Sequence, residues 1–228
     1  PSYIIMSSLD IARDIMETEG SKYLDRLIAM IEQGKNSMGD YRCLILEPSS
    51  QKQGQDYILD PTRIVINVRK LGITAFEAER IIREKWGIQA EMSDLYNIVF
   101  ITTVSDREDD IRRLFQSIIE MAQSLDAAKD KTQKEESLPM LGKDYSLELP
   151  IQAIKTNETL FAQYENLSIY EASGRVSKDI VAPYPPGTPI LCPGELITDK
   201  IIDIILRIIR AGGTVYGVDE QLNIKVVK

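Results

Sequence analysis

The chain has 228 residues, with 27 Lys and Arg against 35 Asp and Glu, a formal net charge of −8, and no histidine. That length and a hydrophobic content of 43% suit one large or two modest packed domains, and exclude disordered and collagen-like classes. The negative charge, with no face that concentrates Lys and Arg, argues against a nucleic-acid binder, and the lack of histidine removes Ser-His-Asp and Cys-His catalysis and histidine metal sites.

The opening Pro1-Ser2-Tyr3-Ile4-Ile5-Met6 has no basic region before its apolar residues, so it does not read as a signal peptide, and it lacks an initiator Met. We expect it to be an internal point of a longer chain. Ile5, Leu9, Ala12 and Met16 then recur with the period of one buried helix face, predicting a long helix from Ser2 to about Glu19. Gly20 is expected to break it, and Leu24, Leu27, Ile28 and Ile31 carry a second helix or kinked extension to Gly34. The first helix needs another domain or a second subunit to cover its apolar face.

Arg42 to Leu46 and Arg63 to Val68 are short aliphatic runs that read as strands, separated by the polar stretch 49–56. Thr74 and Glu77 form a capping box ahead of Ala78, Ile81, Ile82 and Trp86, predicting a helix. Asn97 to Val104 is the next strand. Ser105 and Glu108 repeat the capping box, and Ile111, Leu114, Phe115, Ile118, Ala122 and Leu125 supply a continuous apolar stripe. This order fits a small sheet covered by helices, an α+β layer.

The charged, aperiodic stretch 127–147 reads as a linker, dividing residues 1–126 from a second unit at 148–228. In that unit a helix from about Thr198 to Ala211 turns Ile201, Ile205 and Ile208 inward and Asp203, Arg207 and Arg210 outward, and stops at Gly212-Gly213. The strands Thr214 to Val218 and Leu222 to Val227, joined through Asp219-Glu220, are expected to close as a terminal hairpin. No run reaches the roughly 20 apolar residues of a membrane span. Cys43 and Cys192 lack metal or dithiol spacing, so we expect a cytoplasmic protein with no metal site.

The segment Pro183-Tyr184-Pro185-Pro186-Gly187-Thr188-Pro189-Ile190-Leu191-Cys192-Pro193-Gly194-Glu195 holds five prolines between apolar residues. Prolines pin φ and glycines allow turns or close approach, so it reads as a rigid, shaped loop. On physical grounds alone it reads first as a structural crossover that ends in an exposed glutamate, because lone glutamates are usually solvated.

Pro183-Tyr184-Pro185-Pro186-Gly187 and Pro193-Gly194-Glu195, preceded by Gly174-Arg175-Val176-Ser177, resemble the C-terminal signature of the bacterial ornithine/lysine/arginine decarboxylases. The opening Ser2-Tyr3-Ile4-Ile5-Met6-Ser7-Ser8-Leu9-Asp10 is similar to a second segment of that family, which follows its cofactor-binding domain. The resemblance implies a fold-type-I pyridoxal-phosphate enzyme, most like a compact arginine decarboxylase, with residues 1–126 as the end of the core and the small α+β domain and 148–228 as the C-terminal domain.

It implies pyridoxal 5'-phosphate as cofactor, bound mainly by an N-terminal half outside this chain, because the family's cofactor lysine follows a histidine and none is present. Lys22, Lys35 and the other lysines are then expected at the surface, with no catalytic residue in this chain. Ser2 and Tyr3 would lie beside the family's contact to a neighbouring subunit's cofactor phosphate, in a homodimer or higher homo-oligomer. Glu195 corresponds to the family glutamate that pairs with the distal cation of a basic amino acid. The reaction would release CO2 and a polyamine precursor such as agmatine. The rival reading is a stand-alone, non-enzymatic regulatory or assembly module, which the missing cofactor lysine supports.

Overall fold

The structure, a computed structural model, describes residues 2–46, 59–128, 149–184 and 186–228. The polar stretch 49–56, residues 129–147 of the expected linker, and Pro185 lie outside the described residues.

Helix α1 (Tyr3–Thr18) is exposed along its whole length, and Ile5, Leu9 and Met16 are 60%, 65% and 41% exposed. The face that the apolar period predicts to need a cover is bare in this chain. The break before α2 (Gly20–Ser37) falls at Glu19, whose φ of −124° and ψ of −5° leave the helical region, so Gly20 opens the second helix instead of ending the first. Nor does Gly34 stop α2. It is buried mid-helix, and a Cβ there would enter the ring of Phe115 on α4 (Glu108–Ala128), so its role is close approach of the two helices.

The expected strand at Arg42 to Leu46 is instead a 3-10 helix, Gly39–Leu44, continuing the turn of α2, and only Ile45 bridges to a strand, at Ile66. Leu44 and Ile45 are buried, so the apolar run marks burial and not pairing. Strands β1 (Arg63–Asn67), β2 (Met92–Ser93) and β3 (Asn97–Ile101) form a three-stranded sheet in the order β1-β3-β2. Ahead of α3 (Ala75–Trp86), the Glu77 N–H donates to Thr74 Oγ1 at 3.2 Å, the expected cap.

Helix α4 is capped two residues later than the motif suggests. The Asp110 carboxylate accepts the Arg107 N–H at 3.1 Å, and Ser105 takes no part in the cap. Its carboxyl group is held below the ordinary range, first by that backbone bond. The stripe of α4 is buried at Ile111, Leu114, Phe115, Ile118 and Ala122, with Met121 added and Leu125 only half-buried. Trp86 ties α3 to α4 by donating from Nε1 to Glu120 at 3.2 Å.

The described chain falls into two compact units, the first Pro1–Leu71, Ala78–Glu91 and Ile98–Lys134, the second Gly72–Glu77, Met92–Asn97 and Glu135–Lys228. In the second, α6 (Asp199–Arg210) buries Ile201, Ile202, Ile205, Leu206 and Ile208 against Ile169, Val181, Leu191, Ile197, Val215, Ile224 and Val226. Each such side chain contributes roughly 1.5–3 kcal/mol of burial, so this cluster organises the unit. Thr198 Oγ1 caps the helix by accepting the Ile201 N–H at 3.3 Å, and Gly213 N–H closes on Ile208 O at its end.

The terminal hairpin does not form. Strand β6 (Thr214–Tyr216) pairs with β5 (Ala182–Tyr184), and β7 (Asn223–Val227) pairs with β4 (Tyr164–Ser168), both antiparallel. The connection turns out of one sheet before the next strand begins, fixed by Asp219, whose carboxylate accepts the N–H groups of Gln221 and Asn223. Between the two strands' ends only the isolated bridge Val218↔Ile224 remains. A short helix, α5 (Thr156–Phe161), precedes β4. Among the described residues no helix is long and apolar enough to cross a membrane.

Candidate functional site

The proline-rich segment begins as strand β5, where Pro183 sits opposite Val215 in a two-stranded sheet, a place that tolerates a missing N–H. Its ends are pinned together where Val181 donates to Leu191 O at 2.9 Å and accepts from Ile190 N–H at 2.8 Å. Val181 and Leu191 are fully buried in the α6 cluster, so the excursion between them leaves from and returns to the core. Inside it the Gly187 N–H donates to Pro183 O at 2.7 Å.

The segment then crosses the domain between two other stretches of backbone. On one side the Ala153 and Ile154 N–H groups donate to Gly194 O at 2.9 and 3.0 Å. On the other, Gly194 N–H donates to Ser177 O and Ser177 N–H donates to Glu195 O, each at 2.8 Å. Ser177 is itself buried, and its hydroxyl donates to Asp179 O at 2.8 Å. Only glycine fits at 194. Its φ is +91°, and a Cβ would overlap the Ile154 carbonyl oxygen and lie 2.9 Å from Thr159 Oγ1.

Residues 192 to 195 close a reciprocal turn: Glu195 N–H donates to Cys192 O at 3.2 Å, and the Glu195 carboxylate accepts the Cys192 N–H at 2.6 Å. The carboxylate is half-buried and fixed to its own turn, yet this bond uses one of about four lone-pair directions. It keeps the capacity to receive a cation. Burial, and then the Glu195 charge, push the neighbouring Cys192 thiol up, so the sulfur stays protonated and is no nucleophile near neutral pH. The chemistry open to this turn is cation recognition.

The other expected site residues stand apart from this arrangement. Ser2 occupies the N-cap position of α1 but makes no side-chain cap, and Tyr3 is 82% exposed. Lys22 is exposed as expected, whereas Lys35 is half-buried against Glu32 at 2.7 Å. Lys178 is also half-buried, donating to the carbonyls of Leu160 and Ala162 at 3.0 and 3.1 Å at the end of α5. Arg175, in the Gly174-Arg175-Val176-Ser177 motif, donates to Glu165 at 2.7 Å and Val227 O at 2.9 Å, fastening β4 to β7. Sequence reasoning assigned no role to Gln152, Ser177 or Thr159, which frame the glutamate turn. Nothing in a neutral amide or an isolated hydroxyl announces such a role before the backbone partners are known.

The sequence of residues 146–222 matches the family model for the Orn/Lys/Arg decarboxylase C-terminal domain. These residues are similar to that domain. The whole chain is similar to the arginine decarboxylases of Bacillus subtilis (strain 168), 34% identical over 234 residues, and Bacillus anthracis, 32% identical over 232 residues. It aligns in full but covers 46% and 45% of their lengths, so the chain spans about half of the curated relatives it matches. The lysine decarboxylase of Francisella novicida shares the fold at a TM-score of 0.74 and 20% identity, covering all of this chain and 43% of that one. The matched segment contains both the proline-rich excursion and the Glu195 turn, and the whole chain shares the fold of the Francisella novicida lysine decarboxylase.

Proposed function

We propose that this chain is the C-terminal part of a pyridoxal-5'-phosphate-dependent decarboxylase of a basic amino acid, arginine first, with lysine and ornithine as alternatives. The observation that carries the reading is the half-buried Glu195 carboxylate, held rigidly at the end of the decarboxylase-domain loop with spare acceptor capacity. An anionic group so fixed suits the guanidinium or ammonium at the far end of the substrate. Arginine leads because the arginine decarboxylases of the two bacilli align with the whole chain. The product would be agmatine, a polyamine precursor, and the enzyme a cytoplasmic homodimer or higher oligomer.

The residues described here do not by themselves fit the cofactor. Among them the lysines that are not fully exposed are Lys35 and Lys178, which are held by Glu32 and by the α5 carbonyls, and Ser2 and Tyr3 stand in solvent. Pyridoxal phosphate, the electron sink for loss of CO2, belongs in this reading to the half of the relatives' length that the chain does not span. The bare face of α1 is then the natural place for that half or a second subunit to pack.

Borohydride reduction of the cofactor-loaded full-length protein, which fixes the cofactor to the lysine that holds it, tests this assignment by peptide mapping. The label is expected outside these 228 residues. A label on any lysine of this chain would contradict the assignment, and no label at all would favour a stand-alone module.

A further inference from the structure

One side chain outside the proline-rich loop grips the glutamate turn. Gln152 pairs with Glu195 across an isolated antiparallel bridge, and its Nε2 donates to Pro193 O at 3.1 Å and to Ile154 O at 2.5 Å. The amide therefore ties the first carbonyl of the Pro193-Gly194-Glu195 run to the neighbouring strand-like stretch. Another bond to that carbonyl is the longer one from Thr156 Oγ1, at 3.4 Å. The Glu195 carboxylate is bonded to Cys192 N–H, so the turn and its carboxylate move as one body.

We propose that Gln152 is a positioning residue for substrate recognition, setting the angle at which the Glu195 carboxylate meets the substrate's distal cation. The inference rests on the reading of Glu195 given above. Gln152 touches no reacting group in it. Backbone bonds at Gly194 hold the turn in its plane, and the Gln152 amide stops it rocking about the Ala153/Ile154 pairing. A tilt that moves a charged acceptor by a fraction of an ångström weakens a charge-assisted hydrogen bond, while leaving the fold intact.

The test uses the full-length enzyme with Gln152→Ala and with Gln152→Glu, which keeps length but removes the donor. Two quantities are compared: kcat/KM for the cationic substrate, and the inhibition constant of a neutral isostere, citrulline for arginine or norleucine for lysine. Both variants should lose on the order of fivefold in kcat/KM, mostly through KM, with the isostere's constant unchanged and the melting temperature nearly so. In a Glu195→Gln background the same changes should cost less than about twofold, because the group being positioned is gone.

Equal losses on the cationic and neutral ligands, or the full loss persisting in the Glu195→Gln background, would overturn the positioning role while leaving the reading of Glu195 intact. No effect of either Gln152 change would do the same. If Glu195→Gln itself costs nothing, the reading of Glu195 fails and this inference fails with it.

Discussion

Replacing Glu195 with glutamine in the full-length enzyme is expected to lower kcat/KM for the basic amino acid at least about tenfold, with little change in melting temperature. Glutamine keeps the length and an acceptor oxygen, so the 2.6 Å bond from the Cys192 N–H survives and the turn keeps its shape. What is lost, on the proposed function, is the charge that the guanidinium or ammonium would meet. Removing one partner of a desolvated charge pair costs about 2–5 kcal/mol, and roughly 1.4 kcal/mol is a factor of ten. Loss of plain binding raises KM, and loss of registration at the reacting carbon also lowers kcat. Steady-state kinetics paired with thermal denaturation separate the two roles of the residue. A large fall in melting temperature with unchanged kinetics would show that Glu195 serves the turn alone.

Gly194→Ala should strongly destabilise the domain that holds the glutamate turn. Alanine at φ +91° pays about 1–2 kcal/mol for the left-handed backbone, and its Cβ adds an overlap with the Ile154 carbonyl, typically another 1–3 kcal/mol. Because the Gly194 backbone is the junction of two hydrogen-bonded stretches, relief would require giving up its bonds to Ala153, Ile154 or Ser177. The expected result is a drop in melting temperature of roughly 10 °C or more for a domain of this size, together with loss of substrate binding. Gly174→Ala is the matched control. Its φ is +77°, but nothing lies within 4 Å of the added Cβ, so only the backbone cost applies. Equal melting temperatures for the two variants would show that close approach at Gly194 is unimportant.

Where local chemistry decides the structure, the sequence is readable. The period of Ile201, Ile205 and Ile208, a Thr198 cap and a Gly212-Gly213 end fix α6 almost to the residue. The bare face of α1 and the Thr74 cap of α3 were visible for the same reason. Misreadings occur where the deciding partner is remote. Arg42 to Leu46 resembles a strand because short apolar runs carry no period, but the chain is still finishing α2, and its Leu44 is simply buried. The strands β6 and β7 look like a hairpin from their spacing, yet each finds a better partner far upstream, β5 and β4.

The candidate site divides the same way. Pro193-Gly194-Glu195 is legible because its proline and glycine have local conformational reasons. Gln152 is not, because its role depends on carbonyl groups that reach it only after folding.

On the proposed function, a protein carrying these residues decarboxylates a basic amino acid whose distal cation is read by Glu195. Release of CO2 from arginine, lysine and ornithine by the full-length, pyridoxal-phosphate-loaded protein tests it most directly. Turnover of one of the three, arginine first, is the result predicted, and turnover of none of them would contradict it.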